Sequence, residues 1–323
     1  MRNLRFRIVL PSFVSLKMEL RKLQKTGGST YVVSLPKKWI ERERLDRGSF
    51  VTIKEQKDGS ISITPGSRKE DGTREIQITA DQSLLRHLIE KYLLGYDILR
   101  IKSKTKFKEK EKAEIKRNLN RLVGLEIMEE TSDSITVHYL LDPEEVSILK
   151  TLRRMYTIVS VMHKDLITAL ETGDKHLLRD VIQRDTEVNR LYFLLVRQIR
   201  TGIQNPSILD REGITSLDCV DYRLVVKIIE AIGDNLTYTA KKLIEIKNVK
   251  FSDLKKFAQE TFEIHKRAFE ALLKKDESLA MSARELRQNL KIVRTKASSV
   301  EIINNLTKVA DFGQDLADIV VCE

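Results

Sequence analysis

The hydrophobic pattern divides the chain into three segments, and each predicts a different kind of structure. In residues 18–66 the apolar residues form short β-branched runs separated by Gly-Gly and Asp-Gly turn signals, which predicts strands and hairpins. In residues 67–141 the order of strand-like and helix-like runs is β-α-β-α-β-β, which predicts a small α+β domain with helices on one face of its sheet. In residues 142–323 the spacing is helical throughout. Residues 1–17 form a leader without a usable pattern.

The first segment predicts a strand, a short helix and a hairpin. Residues 29–35, Ser-Thr-Tyr-Val-Val-Ser-Leu, are rich in side chains that favour strands. Pro36 is expected at the first position of a helix over residues 36–43, where a missing N–H costs nothing. Two further β-type runs flank Asp58-Gly59, a dipeptide typical of hairpin turns.

The last segment predicts six helices with short connections, which is typical of antiparallel bundles. Residues 142–145, Asp-Pro-Glu-Glu, predict the first helix start, with Asp142 as the N-cap. The other helices are expected to open near Asp174, Ser216, Ser252, Asp276 and Ser298. The first helix has an apolar stripe at steps of three and four residues, formed by Leu152, Met155, Val159, Met162, Leu166 and Ala169.

The helical segment also shows an internal repeat. ALETGDKHLLRDVI, from Ala169, aligns with ALLKKDESLAMSAR, from Ala271, at an offset of 102 residues. KIIEAIGDNL, from Lys227, aligns with KVADFGQDLA, from Lys308, at an offset of 81 residues. The difference corresponds to an extra loop after Arg200 in the first copy. The pattern therefore predicts two three-helix repeats, in residues 142–249 and 250–323.

Composition and charge narrow the class of protein. Charged residues make up 33% of the chain and aromatic residues only 6%, which favours long solvated helices over a β-sandwich. The net charge is +11, and residues 1–66 hold 14 Lys and Arg against 6 Asp and Glu. A basic excess concentrated at one end indicates a polyanionic partner, nucleic acid or a membrane surface, with a merely well-hydrated surface as the alternative.

The sequence lacks the signals that are typical of several classes of protein. Cys219 and Cys322 lie too far apart for a disulfide framework or a zinc pattern, which is typical of a cytoplasmic protein. No stretch approaches the ~20 apolar residues of a membrane span, so no membrane insertion is expected. The chain has no Ser/His/Asp cluster, no nucleophilic Cys context and no phosphate-cradling Gly loop, so we do not expect an enzyme. A carboxylate-bridged metal hydrolase is the enzymatic alternative.

Paired acids stand near the end of each repeat. Glu230 and Asp234 are four residues apart, as are Asp311 and Asp315, so each pair shares one helix face. Their mutual repulsion would be relieved by a hard cation or by an iron or zinc cluster bridged by carboxylates. The alternative is that they belong to ordinary charged helix faces.

Residues 19–65 resemble the SpoVT/AbrB-like swapped-hairpin DNA-binding domain. The resemblance rests on the stretch RKLQKTGGSTYVVSLPKKWIERERLDRGSFVTI, which starts at Arg21. It implies a homodimer that exchanges hairpins between chains and grips DNA with its basic face, with Trp39 in the core of the dimer. The residues that it implies for DNA binding are Arg21, Lys22, Lys25, Ser29, Thr30, Lys37, Lys38 and Arg42.

Residues 142–323 resemble PhoU, the phosphate-uptake regulator with two three-helix repeats. The resemblance rests on KIIEAIGDNL and KVADFGQDLA, which match the acidic signatures of that family. Together the two resemblances are similar to archaeal PhoU-type regulators with an AbrB-like head. They imply metal ligands at Asp185, Glu230 and Asp234 in the first repeat, and at Asp311 and Asp315 in the second.

The chain departs from the PhoU pattern on the middle helix of each repeat. The places that usually hold acids have Asp185 with Asn189 in the first copy, and Arg287 with Lys291 in the second. The first repeat therefore keeps part of a metal-ligand set. In the second, a salt bridge to Asp311 or Asp315 is expected to replace the metal.

The sequence thus predicts a multidomain protein of α+β and all-α class, with a swapped-hairpin β head, a small α+β middle domain and tandem three-helix bundles. Its expected function is that of a cytoplasmic DNA-binding transcriptional regulator of phosphate uptake and homeostasis, which senses a metal or a protein through the helical domain. The alternative is a signalling adaptor that docks on a phosphate ABC transporter ATPase or a sensor kinase, with a head that serves dimerisation.

Overall fold

The computed structural model describes residues 19–55, 59–65, 73–142, 145–246, 252–291 and 300–320. The chain forms two compact units, Met1–Gly72 and Thr73–Glu323. The small sheet and the helical bundle belong to the second unit. No helix in the described ranges combines the length and the apolarity that crossing a bilayer requires.

The N-terminal unit consists of two antiparallel hairpins and one short helix. Its elements are β1 (Gln24–Thr26), β2 (Thr30–Val32), α1 (Lys37–Arg42), β3 (Val51–Glu55) and β4 (Ile61–Pro65). β1 pairs with β2 and β3 pairs with β4. Gly27 has a φ of 70°, which the turn between β1 and β2 requires and glycine adopts without strain.

Two details of this unit differ from the sequence prediction. Pro36 is the N-cap residue of α1, and the helix begins at Lys37, because Pro36 has the extended ψ of 127°. The predicted strand over residues 29–35 is limited to β2, since only three residues pair with β1. Asp58 of the predicted Asp-Gly turn lies outside the described residues, whereas Gly59 has a φ of 79°, as such turns require.

The middle of the chain has the predicted order of strands and helices. Its elements are β5 (Glu75–Thr79), α2 (Leu84–Leu93), β6 (Ile98–Lys102), α3 (Glu109–Leu119), β7 (Leu125–Glu130) and β8 (Ser134–Tyr139). The sheet order is β5-β6-β8-β7. β5 and β6 are parallel through the crossover helix α2, and the other pairs are antiparallel. Alternate residues of β6 and β8 are fully buried and pack with the apolar face of α2 and α3.

The second unit continues as a helical bundle. Its helices are α4 (Ile148–Thr172), α5 (Lys175–Gln204), α6 (Pro206–Glu212), α7 (Ser216–Glu245), α8 (Ser252–Lys274), α9 (Glu277–Asn289) and α10 (Val300–Asp318). α4, α5 and α7 pack together as the first repeat, and α8, α9 and α10 as the second. The repeats meet where α4 contacts α8 and α7 contacts α10. The predicted apolar stripe of α4 is buried in one core that both repeats share.

The predicted start of the first long helix at residues 142–145 is wrong. α4 begins at Ile148, and the N-cap Ser147 accepts a hydrogen bond from the backbone N–H of Lys150. Glu212, at the end of α6, accepts hydrogen bonds from the N–H groups of Ile148 and Leu149 at 2.8 and 3.2 Å. A tertiary carboxylate thus satisfies the first N–H groups of α4, and sequence periodicity does not contain that information.

The extra loop of the first repeat is more ordered than predicted. α5 continues past Arg200 to Gln204, and Pro206 then opens the short helix α6. Gly213 ends α6 with a φ of 67°, a left-handed conformation suited to glycine. Ile208 and Leu209 of α6 are buried. The insertion is therefore part of the packed bundle and caps α4.

A single buried arginine joins the sheet to the bundle. Arg197 of α5 is only 3% exposed. Its Nη1 donates to the carbonyl oxygens of Tyr92 and Tyr96 at 2.8 and 2.9 Å, and its Nη2 donates to Asp97 Oδ1 at 2.9 Å. The guanidinium also lies 3.7 Å from the ring centre of Tyr139. The charge is thus paired and hydrogen-bonded, as burial of a guanidinium requires.

Replacing Arg197 by Met should lower the free energy of unfolding by about 2–3 kcal/mol, because Asp97 and two carbonyl groups lose their donors. The measurement is the urea midpoint of the full chain, followed by circular dichroism of the helices. Arg100→Met is the matched control, since the Arg100–Glu75 pair is exposed and should be worth less than about 1 kcal/mol. Equal effects of the two changes would contradict the anchoring role of Arg197.

Candidate functional site

The predicted DNA-binding residues all lie on the surface of the N-terminal unit. Their side chains are exposed: Arg21, Lys22, Lys25, Ser29, Thr30, Lys37, Lys38 and Arg42. Some have local partners, since Arg21 pairs with Glu19 and Arg42 pairs with Glu43. Lys37 lies 3.7 Å from Glu41 in a highly exposed contact.

Three of these cations are available for an external anion. Within the part of the chain that the structure describes, Lys22, Lys25 and Lys38 make no ion pair with a carboxylate. Lys37 and Lys38 occupy the first turn of α1, which holds no acidic residue. Cations at a helix N-terminus oppose the helix dipole, so helix stability does not explain their position.

The same unit exposes most of its large apolar side chains. None of residues 19–53, 55 and 59–65 is buried. Leu20 is 98% exposed and Phe50 is 86% exposed. The other large exposed apolar residues are Leu23, Tyr31, Val32, Val33, Ile53 and Ile61. Two isolated hairpins of this kind are marginally stable in water, so this surface requires a partner.

The acids of the first repeat face each other between α5 and α7. Asn189 donates to Asp185 Oδ2 at 3.1 Å, and Lys227 donates to Glu230 Oε2 at 2.5 Å. Asp185 Oδ1 and Thr237 Oγ1 are buried and make no hydrogen bond of good geometry in the described structure, although Thr237 is close enough to Asp185 to lower the pKa of its carboxyl group. An unsatisfied buried carboxylate oxygen is costly, which marks this place as a candidate site for a cation or a proton.

The electrostatics of these acids confirm that they interact. Burial raises the pKa of Asp234 to about 6, with further contributions from Glu230 and Asp185. Burial also raises the pKa of Asp185, and Glu230 adds to the effect. Like charges that are close and partly desolvated disfavour the ionised form. The cluster therefore carries unfavourable negative charge at neutral pH.

Among the described residues, no group of three or more His, Cys, Asp or Glu side chains is placed to hold a metal ion. Lys227 already neutralises Glu230. A cation at Asp185 and Asp234 would have to compete with that lysine or do without Glu230. Metal binding in the first repeat stays a prediction.

In the second repeat, arginines pair with Asp311 and Asp318. Arg287 Nε donates to Asp311 Oδ1 at 2.7 Å, which is the predicted replacement of the metal by a salt bridge. Arg284 Nε donates to Asp318 Oδ1 at 2.8 Å. Burial raises the pKa of Asp315, with contributions from Asp318 and Asp311. The two repeats thus balance the same acidic motif in different ways.

Sequence reasoning missed two features of the bundle. His163 of α4 and His265 of α8 are fully buried, and their ring nitrogens are hydrogen-bonded to each other. Their separation of 102 residues equals the first repeat offset, and this signal was available in the sequence. The second feature is an exposed apolar stripe on α7, formed by Leu217, Val220 and Leu224. Its spacing of three and four residues marks one helix face.

Comparison with protein families finds one match in each of the two units. The family described as PhoU domain matches residues 152–243, which span α4 to α7 and thus the first repeat. The family described as Antidote-toxin recognition MazE, bacterial antitoxin, matches residues 24–71. No curated protein matches the chain in sequence.

The chain is therefore similar to an antitoxin-type domain at its N-terminal end and to a PhoU domain in its first helical repeat. The chain has the arrangement that both resemblances imply, an AbrB-like N-terminal domain followed by PhoU-type helices. The second repeat lies outside the family match, and its assignment rests on the packing of α8, α9 and α10.

Asp234→Asn should stabilise the protein at pH 7 by less than about 1 kcal/mol, a small value because the side chain is only partly buried and solvent screens its charge. The folded-state pKa of about 6 exceeds the ordinary value of 3.8, so the folded state keeps the proton longer. The loss of folding stability that ionised Asp234 causes in the wild type therefore grows as pH rises from about 4 to 6, and it is fully present at pH 7.

The measurement is urea unfolding of the wild type and the variant at pH 4 and pH 7. Asp311→Asn is the matched control, because it removes a partner of Arg287 and should destabilise slightly. A gain for Asp234→Asn that is equal at both pH values would contradict the charge argument.

Proposed function

We propose that this protein is a DNA-binding transcriptional regulator of phosphate uptake and phosphate homeostasis that acts in the cytoplasm. The observation that carries the proposal is the exposed basic surface of the head, with Lys22, Lys25 and Lys38 free of carboxylate partners among the described residues. Lysine and arginine side chains neutralise DNA phosphates and release counterions. The match to an antitoxin-type domain supports DNA binding, and the PhoU domain supports a role in phosphate homeostasis.

We expect the head to act as a homodimer. The exposed apolar residues, among them Leu20 and Phe50, leave a single copy without a core in the described ranges. A second copy of the same unit would cover them, and the AbrB-like class suggests exchange of hairpins between chains. Dimerisation also doubles the number of basic groups that face one DNA duplex, which raises affinity without new chemistry.

The helical domain would supply the signal. A ligand shifts a conformational equilibrium only if it binds one state better than the other. The acidic cluster at Asp185 and Asp234 provides such a difference, because a bound divalent cation such as iron or zinc would relieve its repulsion. No reaction is assigned to the protein, since both matched families are regulatory.

The test is a selection of genomic DNA fragments by the purified full-length protein at near-physiological salt. We expect promoters upstream of phosphate transport genes to be enriched, and Lys37→Ala with Lys38→Ala to abolish the enrichment. Lys274→Ala with Lys275→Ala is the charge-matched control, because these lysines are also adjacent and exposed but lie at the end of α8. Uniform weak binding, or equal loss in both variants, would refute the proposal.

The salt dependence of DNA affinity provides a quantitative prediction. The slope of log affinity against log salt should fall in magnitude by about 0.9 for each phosphate contact that a substitution removes. Lys37→Ala with Lys38→Ala should therefore flatten the slope, as measured by fluorescence anisotropy between low and physiological salt. An unchanged slope would show that these lysines do not contact phosphates.

The alternative function is a signalling adaptor that docks on a phosphate ABC transporter ATPase or a sensor kinase. One observation favours it: Leu217 is 75% exposed and, with Val220 and Leu224, continues into a groove between α7 and α10. Ile228, Phe312 and Ile319 line this groove beside Asp315 and Asp318. Contiguous exposed apolar surface marks interaction sites.

Leu217→Ser with Leu224→Ser distinguishes the two functions. If the protein is an adaptor, this double variant loses control of phosphate uptake in cells, although its DNA affinity is unchanged. If the protein is a DNA-binding regulator, the Lys37 and Lys38 variant loses that control and the leucine variant keeps it.

A further inference from the structure

The two repeats share a buried polar contact at their junction. His163 lies on α4 and His265 on α8, the first helix of each repeat, and both side chains are 0% exposed. They occupy equivalent positions in the two repeats, 102 residues apart, and their rings are hydrogen-bonded to each other. A pair of fully buried histidines in an otherwise apolar interface requires a complete set of hydrogen bonds.

The two rings are the centre of a hydrogen-bonded chain across the interface. His163 Nδ1 lies 2.9 Å from His265 Nε2. Tyr156 Oη lies 3.0 Å from His265 Nδ1. At the other end, His163 Nε2 lies 3.5 Å from Thr261 Oγ1, and that hydroxyl donates to the backbone carbonyl of Ala258 at 2.9 Å. The chain therefore runs from a side chain of α4 to the backbone of α8.

The donors and acceptors of this chain fit one arrangement of hydrogens, which we assign from the network. The Thr261 hydroxyl gives its hydrogen to the carbonyl of Ala258, so His163 Nε2 faces it as the N–H donor and His163 Nδ1 is an acceptor. His265 Nε2–H donates to it, and His265 Nδ1 accepts from the hydroxyl of Tyr156. Both rings are neutral. An additional proton on His163 Nδ1 would set two N–H groups against each other, so the closed contact has no place for it.

Aromatic rings and a close helix approach exclude water from the pair. The rings of His163 and His265 stack with centroids 5.1 Å apart, and Phe262 contacts both edge-on. On the other side α10 closes over α8 at Gly313, where a Cβ atom would lie 2.9 Å from the backbone nitrogen of His265. Burial lowers the pKa of His163 to about 3 and holds the pKa of His265 well below its ordinary value.

The charged groups nearest to the pair do not offer a counterion. Lys164 of α4 and Lys266 of α8 lie over the ring of Phe262, and their charge disfavours a second cation nearby. Glu263 and Glu270 act on Tyr156. Among the described residues of all helices that pack on α4 and α8, no carboxylate contributes to the pKa of either histidine.

We propose that His163 and His265 form a proton-operated latch between the two repeats. With both rings neutral the latch holds α4 against α8. When the contact opens, each ring takes up one proton from solvent, so acid favours the open state. This inference concerns the junction of the repeats and holds whether or not the head binds DNA.

The expected size of the pH effect on opening follows from the ordinary histidine pKa in the open state. If the closed pair binds no proton and the open pair binds two, the opening equilibrium should increase about 600-fold between pH 7 and pH 5. A single histidine would produce an increase of about 25-fold over the same interval. Asp234 has the opposite effect on the dependence of stability on pH. Its raised pKa favours the folded state in acid, whereas the histidines favour the open state.

The test is amide hydrogen exchange of the full chain between pH 5 and pH 7, analysed by mass spectrometry and corrected for the intrinsic exchange rate. We expect protection of α4 and α8 to fall several-hundredfold in acid, while β6 and β8 of the sheet change much less. The same change in all elements, or no dependence on pH, would overturn the latch.

Three variants sharpen the test. His265→Gln should reduce the pH effect on α4 to about 25-fold, because one titrating ring remains. His176→Gln is the control, since His176 is exposed at the start of α5, and it should leave the effect unchanged. If His265→Gln does not fold, Gly313→Ala serves instead. It should increase exchange of α8 at pH 7 with the same dependence on pH, and a lost dependence would refute the role of the histidines.

Discussion

Burial of the faces between the two repeats is the constraint on which most of this structure depends. Each repeat has three long helices, and one core continues through both because α4 packs on α8 and α7 packs on α10. A three-helix unit alone would leave these faces in water. The duplication is therefore a way to complete the core, and the buried pair of His163 and His265 lies where the two copies meet. The sheet adds to this unit through Arg197, whose charge is satisfied only when the sheet and α5 are in contact.

The N-terminal unit follows the opposite principle. It has no buried residue in the ranges that the structure describes, and its large apolar side chains face outward. Such a unit acquires a core only by association, so its folding and its oligomerisation are coupled. Lys22, Lys25 and Lys38 of this unit are exposed and have no carboxylate partner among the described residues. The second unit, in contrast, contains its own core.

Two acids four residues apart have different neighbours, and therefore different electrostatics, in the two repeats. Glu230 with Asp234, and Asp311 with Asp315, have the same separation and sit on equivalent helices. In the first repeat the neighbours are Asn189 and Lys227, and a buried oxygen of Asp185 has no partner in the described structure. In the second, arginines of α9 bind Asp311 and Asp318, whereas burial and these two acids raise the pKa of Asp315. Each repeat therefore keeps a carboxylate whose charge is unfavourable, Asp234 in the first and Asp315 in the second.

The sequence by itself determined the order of elements, the position of most helix starts and the duplication, because these depend on local periodicity and capping residues. Asp174 and Asp276 are N-caps as predicted, and the stripe from Leu152 to Ala169 is buried. It also located the basic excess. The tertiary structure decided the start of α4, because the carboxylate that completes its cap comes from Glu212, about sixty residues away. It likewise decided which acids are neutralised and that His163 and His265 are in contact. The repeat offset places these histidines at equivalent positions, but their contact depends on how α4 packs on α8.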